Sequence, residues 1–216
     1  MTADELQRLV AQSRVLPPAQ SAAAINFEHD FIVNVLSTVL DIQMSTTAVL
    51  RALEHFKARH GARIRGMGDL RQVLRRFADD QPGNTALAQY LWGYNLWTRA
   101  HILRDLVDYF DALGVRDQES LRAWAASSDF QRDFEGKVKG LGLAAYKALV
   151  MRMGVDTVKP DTHVRRFVEA AIGRRTTDVG AVTLVEAAAR ELGLPAAELD
   201  WRIWEYQRRG GSGSPA

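Results

Sequence analysis

The sequence contains no cysteine among its 216 residues. Disulfides, thiolate nucleophiles, cysteine-ligated zinc and iron–sulfur clusters are therefore excluded. Long hydrophobic runs are also missing, since no stretch approaches the roughly 18 uninterrupted apolar residues that span a bilayer. Residues 1–20 are amphipathic and lack the apolar core of a signal peptide. We therefore expect a cytoplasmic protein with no membrane partner, no metal and no cofactor.

Excess charge of one sign is also absent, because 28 Lys and Arg residues face 26 Asp and Glu residues. The cations are nevertheless clustered along the chain. Such clusters can bind phosphates, although a solvated helix surface explains any single one of them. The basic clusters are residues 56–66 and 71–76, together with Arg165, Arg166, Arg174 and Arg175.

Strand signals are missing too, and apolar residues recur at helical spacing almost throughout. We predict an all-α protein of about ten helices. In the first strongly apolar stretch, Phe27, Phe31, Val35 and Val39 form one stripe, which is typical of a buried helix face. The predicted helices include residues 27–40, 46–61, 69–80, 84–94 and 98–115, with a Gln-Pro-Gly-Asn turn at 81–84.

Residues 127–154 predict two helices around a tight turn. Ser127 or Ser128 can cap the first, short helix. The turn is Lys-Gly-Leu-Gly at residues 139–142, and the second helix ends at Gly154. Glycines at the start of a helix permit a left-handed turn and leave backbone N–H groups open to an anion. Gly140 and Gly142 therefore suit one nucleic-acid phosphate, and a plain connection between two helices is the alternative.

Asp161 follows this pair of helices, in the sequence Val-Lys-Pro-Asp-Thr-His-Val. Its position predicts the N-cap of a helix over residues 162–172. A capping carboxylate is also a fixed one, so a structural role and a chemical role are compatible.

Taken together, these segments resemble the helix-hairpin-helix (HhH-GPD) DNA glycosylase superfamily, which includes endonuclease III and the alkylpurine glycosylases. Residues 139–154 match the hairpin, and residues 160–164 match the segment that bears the family's catalytic aspartate. The supporting matches are residues 39–49, 93–103 and 199–207, so the resemblance spans most of the chain.

The resemblance implies two helical subdomains with a cleft between them. The central one runs over residues 28–154 and ends in the hairpin. The second combines residues 1–27 with 155–216, of which the Gly- and Ser-rich 209–216 read as a flexible tail. The implied partner is double-stranded DNA that contains a damaged base, bound by a monomer.

The resemblance also implies roles for single residues. Asp161 takes the position of the catalytic carboxylate, which stabilises the sugar cation and orients or deprotonates a water. Ala144 replaces the lysine of the family's lyases, and Lys147 lies nearly one turn further on, so base release without strand cleavage is implied. Gln43 is the candidate wedge that fills the gap left by the extruded base. The other implied DNA contacts are Lys139, His163 and Arg165.

Two other readings of the sequence stay open. A helix-hairpin-helix protein can bind DNA without chemistry, and a helical interaction protein need not bind nucleic acid at all. The damaged base is also open. Pro160 before the aspartate favours the alkylpurine branch, whereas Ile42 stands where that branch has the first residue of a Gln-Gln pair.

Overall fold

The computed structural model describes residues 2–19 and 30–210, and these are all-α, as predicted. No strand occurs in this part of the chain, and no helix in it is long and apolar enough to cross a membrane. The helices are α1 (Ala3–Arg14), α2 (Phe31–Leu40), α3 (Thr46–Arg59), α4 (Met67–Leu74), α5 (Gln81–Trp92), α6 (Trp97–Ala112), α7 (Gln118–Ser127), a π-helical turn (Phe130–Phe134), α8 (Leu143–Arg152), α9 (Thr162–Ile172), α10 (Asp178–Leu192) and α11 (Ala196–Arg208).

The start of α2 is set by Asp30, whose carboxylate accepts the N–H of Val33 at 3.0 Å. The helix therefore begins at Phe31, later than the predicted residue 27. Phe27 itself and residues 211–216 of the predicted tail lie outside the described residues. The rest of the predicted stripe is buried, but so is every other residue of α2.

The predicted turn at residues 81–84 is wrong, because these residues form the first turn of α5. Asp80 caps this helix by accepting the N–H of Gly83 at 2.7 Å. Pro82 is tolerated there, since the N–H that a proline lacks would have no helical acceptor in the first turn. The connection between α4 and α5 therefore lies earlier, at residues 75–80.

The chain forms two compact units, and it passes from one to the other between Met153 and Gly154. One unit contains α2 to α8, with α2 packed against α3, α6 and α8. Arg152 in the last turn of α8 donates to the hydroxyl of Thr38 on α2 at 2.7 Å. This bond fixes α8, and with it the glycine turn that precedes α8.

The other unit contains α1, α9, α10 and α11 around one apolar core. Phe167 and Val168 of α9, Val185 of α10 and Ile203 of α11 are almost fully buried in it. α1 packs against α9 and α10, and α11 packs against the same two helices. α9 is thus held from several sides, so its N-terminus is a rigid place for a functional side chain.

Candidate functional site

Asp161 is the N-cap of α9, as predicted. Its Oδ1 accepts the N–H of His163 at 2.8 Å and the N–H of Val164 at 3.0 Å. No residue in the described ranges donates a hydrogen bond to its Oδ2. One oxygen of the carboxylate therefore caps the helix, and the other is available to a ligand or a water.

The loop before α9 is fastened to α11 by two carboxyl groups, one on the loop and one on α11. Asp156 of the loop accepts the N–H of Ala197 at 2.9 Å, which caps a helix that has no side-chain cap of its own. Asp200 of α11 accepts the N–H of Lys159 at 3.0 Å. The carbonyl of Lys159 accepts the N–H of Asp161 at 2.8 Å. Asp161 is thereby connected to α11 through the backbone of one residue.

A further bond holds the middle of this loop. The hydroxyl of Thr157 donates to Glu186 of α10 at 2.6 Å, and Thr157 is itself buried. Val158 beside it is fully buried. The loop is thus anchored to both neighbouring helices, which fixes the direction in which the chain enters α9.

Asp200 is the functional candidate that sequence reasoning missed. Only 9% of its surface is exposed. Burial, followed by the charge of Asp161, raises the pKa of its carboxyl to about 8, while the N–H and the charge of Lys159 act in the opposite direction. Burial therefore favours the protonated form of the Asp200 carboxyl. The sequence analysis singled out residues 199–207 for their resemblance to the glycosylases, but not the Asp200 side chain.

In the other unit, the predicted glycine turn precedes α8. Gly140 has a φ of 93°, in the left-handed region, and a Cβ there would lie 2.9 Å from Cδ1 of Ile102. Gly142 is the N-cap of α8 and provides no side-chain bond to it. The first helical bond runs from the N–H of Tyr146 to the carbonyl of Gly142, so the N–H groups before it have no acceptor within the helix.

The short helix before this turn differs from the prediction. It is a single π-helical turn, and its cap is Asp129, which accepts the N–H of Arg132 at 3.0 Å. The predicted cap, Ser127 or Ser128, is wrong, since Ser127 ends α7 and Ser128 is the residue that caps its C-terminus. Asp129 is the cap because it directly precedes the π-helical turn, so its carboxylate reaches the N–H of Arg132.

Aromatic side chains fix the position of the turn. Phe134 is fully buried, with ring centroids 5.7 Å from Tyr109, 6.0 Å from Trp124 and 5.5 Å from Tyr146. The hydroxyl of Tyr146 donates to the carbonyl of Ser128 at 2.8 Å. Tyr146 therefore belongs to the core.

Gln43 lies in the loop between α2 and α3. It is exposed, and its φ of 54° is the one positive value of a non-glycine residue in the described ranges. The carbonyl of Ile42, the residue before Gln43, accepts a hydrogen bond from the guanidinium of Arg99 on α6. This bond joins residues 39–49 to residues 93–103, two of the segments on which the predicted resemblance depends. The positive φ strains the backbone of Gln43, and strain of this kind is found most often at functional sites.

The remaining predicted contacts differ in their surroundings. His163 is half-buried in the first turn of α9, and Arg165 is exposed and bonded to Asp178 of α10 at 3.3 Å. Lys139 is exposed in the glycine turn. Ala144 lies in the first turn of α8.

Five exposed arginines lie between the end of α3 and the segment after α4, and none forms an ion pair within the described part of the chain: Arg59, Arg63, Arg65, Arg75 and Arg76. By contrast, Arg71 in the same region is paired with an aspartate of α6 at 2.5 Å. Cations without acidic partners are available to phosphates.

A family model described as "Domain of unknown function (DUF8548)" matches residues 25–208. The matched span includes every helix from α2 to α11, and so it reaches into both compact units. Comparison with curated proteins finds no match, and comparison with solved structures finds none either.

Proposed function

This chain belongs to the DUF8548 family, and we propose that it is a DNA glycosylase that hydrolyses the N-glycosidic bond of a damaged base. The observation that carries the proposal is the carboxylate of Asp161. One of its oxygens is fixed by two backbone N–H groups, and no described residue bonds the other. The match of its segment to the catalytic segment of the helix-hairpin-helix glycosylases supports the same role.

Hydrolysis of an N-glycosidic bond requires a carboxylate beside the sugar and a water molecule. As the base leaves, positive charge develops on the sugar, and a fixed carboxylate stabilises that cation. The same carboxylate orients the attacking water or takes its proton. Because α9 and α11 hold Asp161 before the substrate arrives, little reorganisation accompanies the reaction.

The product we propose is an abasic site in an intact strand. Strand cleavage by a lyase requires an amine that attacks the sugar carbon and forms a Schiff base. Ala144 stands at the position where the family's lyases carry that amine. Hydrolysis by water is therefore the reaction that this set of residues favours.

DNA binding is assigned to the glycine turn, to Lys139 and to the loop of Gln43. The open N–H groups at the start of α8 suit one phosphate, and the exposed Lys139 adds a cation beside them. A base inside a duplex must leave the stack before its sugar can be attacked. The exposed side chain of Gln43 is the group we propose to occupy the gap.

Alkylated purines are the proposed substrate class. Their bases already carry positive charge, so they leave without an acid that protonates them. A site that offers one ionised carboxylate and no strong acid suits such a leaving group. The Pro-Asp sequence at residues 160–161 favours the same branch of the family.

The test is a panel of duplexes that each contain one lesion, with free base measured by chromatography under single-turnover conditions. We expect release from an alkylated purine and intact strands in the product. Tight binding to lesion DNA without release would favour a non-catalytic DNA-binding protein. Absent binding, or binding that does not weaken as salt rises, would favour a helical interaction protein, because phosphate contacts impose a steep salt dependence.

A further inference from the structure

The carboxyl groups of Asp161 and Asp200 are linked through the backbone of Lys159. Asp200 accepts the N–H of Lys159, and the carbonyl of Lys159 accepts the N–H of Asp161. That N–H is the one donor to the buried Asp200 carboxyl within the described residues. A buried carboxylate with one neutral donor is poorly compensated for the water it has lost, so its protonated form is favoured.

We propose that Asp200 is the positioning residue for Asp161, and that at neutral pH the two carboxyl groups hold a single negative charge, with the proton on Asp200. The inference rests on the proposed function, since it assigns that charge to the carboxylate at which we place the chemistry. In its neutral form Asp200 keeps the bond to Lys159 and so keeps the Asp161 loop attached to α11.

Ionisation of Asp200 changes this arrangement. Burial and the charge of Asp161 raise the pKa of Asp200 to about 8. Above that pH two carboxylates flank one short stretch of backbone, and their repulsion disfavours the arrangement that holds Asp161. The sign follows from the raised pKa. The folded state retains a proton that the unfolded chain loses near pH 4, so stability falls as pH rises from about 4 to about 8.

The surrounding charged groups do not neutralise Asp200. Lys159 on the loop lowers the pKa of Asp200, but its effect is smaller than that of burial or of Asp161 on α9. Glu186 on α10 is bonded to a loop hydroxyl. Glu198 on α11 is paired with an arginine of its own helix.

The direct test is a carbon-13 NMR titration of the Asp200 carboxyl in the whole protein, assigned through its own backbone resonances. We expect it to titrate near pH 8 in the natural chain. In Asp161→Asn it should titrate at a lower pH, because the neighbouring charge is gone. Titration near pH 4, or a value near 8 that does not respond to Asp161→Asn, would overturn the proposal. This measurement does not depend on base release.

The second arm follows base release against pH. The rate of the natural chain should decline above about pH 8. Asp200→Asn keeps an acceptor for the N–H of Lys159 and cannot ionise, so its rate should show no such decline. Asp156→Asn, which alters the other carboxyl group between the loop and α11, should retain the decline and is the matched control. A decline that persists in Asp200→Asn would overturn the positioning role.

Absence of base release from the natural chain would refute the proposed function. The NMR titration would still show whether Asp200 and Asp161 share a single negative charge.

Discussion

Valine should destabilise the fold more at Gly140 than at Gly142. At Gly140 the φ of 93° disfavours any L-residue, and the new Cβ would lie 2.9 Å from Cδ1 of Ile102. The left-handed conformation alone costs about 1–2 kcal/mol. At Gly142 the φ is −106°, which suits valine, and a Cβ there would have no atom within 4 Å.

We therefore expect Gly140→Val to lower the free energy of unfolding by about 2 kcal/mol, which corresponds to a Tm lower by about 4–8 °C. Gly142→Val should lower it by less than about 1 kcal/mol, the scale of an N-cap effect. Gly66→Val, at the N-cap of α4 with equally open space, is the matched folding control. Urea unfolding followed by circular dichroism measures all three. Equal losses of unfolding free energy in Gly140→Val and Gly142→Val would contradict the left-handed conformation assigned to Gly140.

Gly142→Val is then the informative variant for DNA binding, because it places two methyl groups beside the open N–H groups of α8. One lost bond to a charged phosphate is worth about 1.5–3 kcal/mol, or roughly ten- to a hundredfold in affinity. Fluorescence anisotropy with damaged and undamaged duplexes at fixed salt measures the change. The same loss is expected for both duplexes, since a phosphate contact does not read the base. Unchanged affinity would remove the turn from the DNA interface.

Two other predictions concern the wedge and the amine. Gln43→Gly should leave the free energy of unfolding unchanged or raise it. Glycine removes about 1 kcal/mol of backbone strain from the folded state at a φ of 54°, and its greater freedom stabilises the unfolded chain by a similar amount. Base release should fall on duplex DNA but not on single strands, and an unchanged duplex rate would show that this side chain fills no gap. Borohydride should trap no covalent adduct on lesion DNA, because Ala144 occupies the lyase position. An efficient adduct would make Lys147 or Lys139 the nucleophile and the protein a lyase.

The sequence predicted the elements whose signals are local. Asp161 stands between a proline and a helical pattern, and its cap on α9 depends on nothing outside that segment. The start of α5 shows where local signals compete. Pro82 is compatible with a turn and with the first turn of a helix, and Asp80 as the cap decides between them. A different ambiguity, between neighbouring residues that can each cap a helix, led to the prediction of Ser127 or Ser128 in place of Asp129.

Long-range partners could not be predicted from one sequence. Asp200 lies 41 residues from the N–H that it accepts, and its burial depends on how α11 packs against α9 and α10. Arg99 lies 57 residues from Ile42, whose carbonyl accepts its hydrogen bond. Both side chains lie in segments on which the predicted resemblance depends, residues 199–207 and 93–103. What the sequence lacked was the direction in which each side chain faces.

Base release by Asp161→Asn decides whether the Asp161 carboxylate is catalytic. The amide oxygen of Asn can still accept the N–H groups of His163 and Val164, so folding should lose on the order of 1 kcal/mol or less. Asp80→Asn changes an aspartate cap on α5 in the same way and is the matched control. The account predicts that Asp161→Asn binds lesion DNA but releases base at least about a hundredfold more slowly, because a neutral amide neither balances the sugar cation nor takes a proton from water. Asp80→Asn should release base at the natural rate. Base release by Asp161→Asn at the natural rate would contradict the account and leave Asp161 as a helix cap alone.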